Sequence, residues 1–122
     1  MGLLAPVRRF FRRMAESDEH RYAEEIAAWA SQVPGTVSIR EAQPRSKVRL
    51  AGVVRRITVR PIEGSESLEA LLDDGTGEVR VVWMGRRSIK GLNLGTRLIV
   101  DGLLAEHRSE RRLVNPIFEF AA

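Results

Sequence analysis

Two apolar runs separated by Asp73-Asp74-Gly75-Thr76-Gly77 constrain this chain more than any other stretch. Leu68-Glu69-Ala70-Leu71-Leu72 precedes the turn and Val79-Arg80-Val81-Val82-Trp83 follows it. Asp-Gly between strand-like runs is a strong hairpin signal, because glycine tolerates the positive φ of tight hairpin turns. Asp73 and Asp74 read as turn formers rather than a metal pair, since aspartate carboxylates bond nearby backbone N–H groups in turns. A lone hairpin is marginal in water and needs further strands to cover its apolar face.

The flanking sequence supplies them. From Lys47 the pattern has period two, the strand signature. A first strand is predicted over 47–59, with Val48 and Leu50 on one face and Arg49 and Ala51 on the other. Gly52 marks a bulge or sharp bend in it. Residues 60–66 read as a loop, 68–73 and 78–83 as the second and third strands. The glycine-rich 85–95 reads as a loop with one turn at 87–90. The fourth strand is predicted over 97–106, bending at Gly102, and the fifth over 111–120, with a charged turn at 107–110 between them. Pro116 requires an edge or bulged position, because proline cannot donate to a ladder. Five strands, with a longer connection between the third and fourth, predict a mainly β chain folded as a small, partly open Greek-key barrel.

Ahead of the strands lies a predicted α-helical extension, residues 1–35, leaving 36–122 for the barrel. In residues 1–14, Leu3, Leu4, Val7, Phe10, Phe11 and Met14 recur at helical steps, with Arg8, Arg9, Arg12 and Arg13 between them. Pro6 marks a first turn or breaks a longer helix. Ser17 reads as an N-cap for a second helix over 18–32, with Asp18 and Glu19 in its first turn. Tyr22, Ile26, Trp29 and Val33 form its apolar stripe, and Pro34-Gly35 stops it. Trp29, on an alanine-rich stripe, is read as packing rather than as a base-stacking residue.

Composition removes several function classes. With no cysteine among 122 residues, disulfides, thiolate metal sites and cysteine nucleophiles are excluded, which fits a cytoplasmic setting. No apolar run approaches the ~20 residues of a membrane span, and Met1–Ala5 is too short for a secretion signal. His20 and His107 are far apart and show no ligand pattern, and no phosphate-binding glycine loop or nucleophile elbow is present. Neither catalysis, a metal nor a cofactor is expected. The net charge is +4. Residues 1–14 carry +4 and residues 15–33 carry −4, so the excess lies on the strand-rich part. A mild excess of this sign favours polyanions.

Three spaced motifs carry a family resemblance: Val48-x-Leu50-x-Gly52-x-Val54, Leu72-x-Asp74-x-Thr76-Gly77-x-Val79, and Gly95-x-x-Leu98-x-Val100-x-Gly102. They resemble OB domains of the tRNA-anticodon-binding type, similar to those of bacterial aminoacyl-tRNA synthetases and of the wedge of branched-DNA helicases. The whole chain resembles small stand-alone actinobacterial OB-fold proteins described as nucleic-acid-binding. The resemblance implies an OB-fold whose ligand face is the outer surface of strands two and three, flanked by the one–two and four–five loops.

On that mapping Arg60, Arg108 and Arg111 sit in flanking loops and are candidate phosphate contacts. Arg49, Arg55, Arg80, Arg86, Arg87 and Lys90 extend the basic set, and Arg56 and Arg97 stand among them. Guanidinium both pairs with phosphate and stacks on bases. Arg80 is predicted to face outward. Trp83 is the one stacking candidate on the third strand, although alternation puts it inward or at the rim; a one-residue slip would exchange the faces. These residues predict binding of single-stranded or branched DNA or RNA with little sequence specificity. The alternative is a protein-interaction module, with the barrel as scaffold and the N-terminal helices as the docking surface. A membrane-surface role for residues 1–14 ranks below both.

Overall fold

Period-two alternation from Lys47 onward forms one long strand, β1 (Lys47–Ile62), in the computed structural model, which describes residues 4–62 and 64–121, with side chains from Asp18 onward except that of Ile62. Six further strands follow: β2 (Ser65–Asp73), β3 (Glu78–Met84), β4 (Arg97–Leu103), β5 (Ala105–His107), β6 (Glu110–Val114) and β7 (Ile117–Phe120). They make one sheet in the order β5-β6-β3-β2-β1-β4-β7. The first half of β1 pairs with β4 and the second half with β2, so the sheet curls around the apolar side chains between. β4 and β5 are separated by Leu104 alone, which brings the two flanks of the sheet together. The result is a curled half-barrel, mainly β, consistent with an OB-fold.

Seven strands replace the five predicted, because the last two are each broken once. Paired residue numbers sum to 217 between β5 and β6 and to 218 between β4 and β7, so one long hairpin carries a one-residue irregularity. It falls at Leu104 and Asn115-Pro116. Asn115 has φ 49°, its N–H donates to Val82 O at 2.7 Å, and its Oδ1 accepts from the Met84 N–H at 2.9 Å. Pro116 thus sits at a break, as its missing donor requires. The loop predicted at 60–66 is a tight hairpin instead, with Ile62 paired to Ser65, and the charged turn predicted at 107–110 is a two-residue hairpin turn, with His107 paired to Glu110. Arg108 and Ser109 take φ 51° and 66°, the both-positive geometry of a two-residue hairpin turn.

The bulge in β1 is at Arg55 and not at Gly52. Val54 faces Leu72 and Arg56 faces Leu71, leaving Arg55 as the extra residue. Gly52 is needed for close approach, since a Cβ there would lie 2.8 Å from Leu72 Cγ and 3.0 Å from Asp73 O.

The core holds Leu50, Val54, Leu68, Leu72, Val79, Val81, Leu98, Val100 and Leu113, all at most 1% exposed. On β2 and β3 these alternate with outward residues, as a period of two dictates. A continuous helix α1 (Leu4–Gln32) replaces the predicted arm and separate helix. Residues 14–18 contain no glycine or proline, and a serine or aspartate inside a helix costs only a few tenths of a kcal/mol, so the Ser17 cap is bypassed. The helix ends where predicted. Thr36 Oγ1 donates to Val33 O at 2.8 Å and Ala30 O at 3.2 Å, and Gly35 takes φ 78°. Its last turns cover the outer face of β1 and β4: Trp29, Ala30 and Val33 pack with Ala51 and Ile99. The β2–β3 turn docks on the same helix, with Gly75 against Ala23 and Ala27.

Candidate nucleic-acid interface

The bulge at Arg55 decides which residues face outward on the second half of β1. Before it, even-numbered Leu50 and Val54 point into the core. Without it, Arg56, Thr58 and Arg60 would keep that phase and point inward. The extra residue inverts the phase, so Ile57 packs against the core and the arginines lie outside, as a one-residue shift must produce.

Register then aligns residues of four strands. Arg56 faces Leu71, Leu71 faces Arg80, and Arg80 faces Arg112. The adjoining row holds Thr58, Glu69, Val82 and Val114, and the next Arg60, Ser67 and Met84. Between the first two rows lies a depression of about 50 Å³, lined by Arg56, Arg60, Glu69 and Arg80 among others. Through Leu71 and Arg80 it joins a second of about 230 Å³ that reaches Glu78, Glu110 and Arg111 at the β5–β6 hairpin. A single track therefore runs from β1 across β2 and β3 to the β5–β6 turn.

Its charges are partly paired with one another. Glu69 Oε2 lies 2.7 Å from Arg60 Nε and 3.3 Å from Arg80 Nη1. Glu110 Oε1 lies 2.8 Å from Arg80 Nε and 3.3 Å from Arg112 Nη2. Arg111 donates to Arg40 O at 2.9 Å. Arg56 has no ion-pair partner among the described residues. Arg80 faces outward as predicted. Arg60 also belongs to the track, but from a strand rather than a loop. Arg111 is at its far end, and Arg108 is exposed in the turn beyond it.

Other predicted residues serve elsewhere. Trp83 is 3% exposed and packs edge-on against Phe118 at 5.4 Å; it is a core residue and cannot stack on a base. Arg49 is a strut on another face. It donates to Asp101 and Glu119, each at 2.7 Å, and to Pro34 O at 3.2 Å. Its bond to Glu119, with Asp101 adding, holds the guanidinium above its ordinary range despite partial desolvation. Arg55 lies over the Tyr22 ring at 5.4 Å and Arg97 over Trp29 at 4.8 Å, so both clamp α1 to the sheet. Arg87 pairs with Glu66 at 2.7 Å. Arg86 and Lys90 are exposed and do not line the track.

Sequence reasoning passed over Glu69, Glu110 and Arg112. Glu69 was legible in principle, lying between inward Leu68 and Ala70. Asp73 and Asp74 behave as predicted. Asp74 accepts from the N–H groups of Ile39, Thr76 and Gly77 at 2.8, 2.9 and 3.2 Å and from Thr76 Oγ1 at 2.6 Å, and Asp73 accepts from the Gly75 N–H at 2.7 Å.

No family model matches this chain, and no curated protein matches it in sequence. Among solved structures it is similar to a chain of a Replication Protein A heterotrimer bound to ssDNA, with TM-score 0.51 and 17% identity over 79% of this chain and 75% of that one. It is also similar to RecG bound to a three-way DNA junction, with TM-score 0.52 and 21% identity over 64% of this chain. It spans 11% of RecG's length. At these identities the likeness is one of fold.

Proposed function

We propose that this chain binds single-stranded or branched nucleic acid without catalysis and with little sequence specificity. The observation that carries the reading is the registered row Arg56–Leu71–Arg80–Arg112 in a continuous track on the outer β1–β2–β3 face. That is the surface on which OB-folds hold oligonucleotides. The similar structures were solved with DNA, and the motifs resembling anticodon-type OB domains point the same way.

The lining residues support one mode of binding. Guanidinium groups spaced across strands pair with successive phosphates. Among the described residues no aromatic side chain lines the track, so base stacking, worth ~1–3 kcal/mol per base elsewhere, contributes little. Leu71 and Met84 offer apolar contact without hydrogen-bond readout, which leaves sequence nearly unread. No described helix is long and apolar enough to cross a membrane, and a cytoplasmic location accompanies the reading.

A second reading rests on Leu103 and Ile117, 62% and 76% exposed around one open hollow beside Gly35. There the barrel would be a scaffold for a protein partner that also engages α1. Fluorescence anisotropy of a labelled single-stranded oligonucleotide separates the two. The first reading expects micromolar or tighter binding at low salt, weakened about tenfold by Arg56→Glu and unchanged by Lys90→Glu. Absence of binding at low salt would leave the second.

A further inference from the structure

Two carboxylates occupy the guanidinium groups of the track. The Glu69 side chain is 9% exposed and touches both Arg60 and Arg80. Glu110 touches Arg80 and Arg112. Together they form an alternating chain, Arg60–Glu69–Arg80–Glu110–Arg112, across β1, β2, β3 and β6. Arg80 commits its Nε to one carboxylate and an Nη to the other. Those are the donors with which a guanidinium grips phosphate. The exposed pairs of Glu110 add little to stability, and for buried Glu69 desolvation offsets much of the Coulombic gain, so fold-holding alone accounts poorly for two acids placed on the track. Arg56, in the same depression, has no carboxylate partner among the described residues and is the open point of entry.

We propose that Glu69, assisted by Glu110, is a built-in competitor for phosphate. In the unliganded chain these acids hold the forks of Arg60, Arg80 and Arg112. A ligand must exchange with them, so the track selects for polyanions that present several phosphates at once. A nucleic-acid strand meets that condition; inorganic phosphate and mononucleotides do not. The inference rests on the nucleic-acid reading of the same track and adds its selectivity.

Removing a competing acid frees arginine for one more phosphate. For a single strand each added phosphate contact steepens the salt dependence of log K by about 0.7, which is about a fivefold gain at ~0.1 M salt relative to 1 M. The experiment is anisotropy of a labelled single-stranded oligonucleotide against the full chain and its Glu69→Gln and Glu110→Gln variants at several salt concentrations. Thermal melts check folding. Glu110 is 43% exposed, so its substitution tests the idea should Glu69→Gln not fold. Tighter binding with a steeper slope supports the proposal, as does binding by a variant where the unaltered chain shows none. Equal or weaker binding by folded variants, beside measurable binding of the unaltered chain, overturns it and leaves the nucleic-acid reading standing. Absence of binding by all three chains at low salt overturns both.

Discussion

Trp83 and Arg56 show how burial and phase decide what one side chain can do. Alternation along β3 places Trp83 with Val79 and Val81, so its inward position was legible once the hairpin was recognised. Arg56 was not, because the Arg55 bulge inverts the alternation of β1 and only register with β2 reveals it. The buried Trp83 Nε1 finds no acceptor among the described residues. Trp83→Phe removes that orphaned donor and some volume, so the net loss should be small, about 1–2 kcal/mol, with oligonucleotide affinity within twofold of the parent. Thermal melts and anisotropy check both; a large affinity loss without unfolding would mean the indole reaches ligand. Asp74 is 3% exposed and ties the β2–β3 turn to the Ile39 backbone. Asp74→Ala strands buried N–H groups and should cost about 2–4 kcal/mol, read by denaturant titration.

At the level of elements, turn chemistry and period two located the strand-forming stretches but not their division into seven strands, and what they missed has local causes. The one–two connection contains charged residues that look like loop, yet β1 and β2 stay paired out to Ile62 and Ser65. The predicted fourth and fifth strands form one long hairpin broken once on each side, and of the two breaks only the one at Pro116 was legible. Helix α1 ran past Ser17 because nothing there interrupts it. The docking of α1 was legible only as an apolar stripe; its partner on the turn was not. Gly75 has φ 85°, and a Cβ there would lie 2.4 Å from Ala23 O. Gly75→Ala therefore strains the turn and pushes it off the helix, an expected loss of about 2–4 kcal/mol. A circular dichroism melt measures it, and an unchanged midpoint would mean the turn and helix are not in contact. Deletion of Arg55 tests the bulge itself. It makes Val54 opposite Leu72 and Arg56 opposite Leu71 successive rungs of a regular ladder, so Arg56, Thr58 and Arg60 stay outward; a denaturant titration should still show one cooperative unfolding transition, with the loss limited to the Arg55 contact with Tyr22.

For the whole molecule, the modest net charge conceals an uneven arrangement. Acids at 15–33 offset the basic residues 1–14, and along the track Glu69, Glu78 and Glu110 face Arg56, Arg60, Arg80, Arg111 and Arg112. Long-range steering of a polyanion by such a surface is weak, so affinity depends on local contacts. Counting the arginines does not give the number of phosphates bound, because three of the five already pair with protein carboxylates. If about three phosphates are engaged, log K should fall against log salt with a slope near −2, a loss of roughly 15–20-fold between ~50 and ~200 mM. A slope near −4 would instead require the internal pairs to open completely on binding, with every track arginine turned to ligand. A slope near zero would mean that phosphate contacts do not drive association. Measured on the intact chain across a salt series, the slope thus counts how many arginines the ligand takes from the protein's own acids.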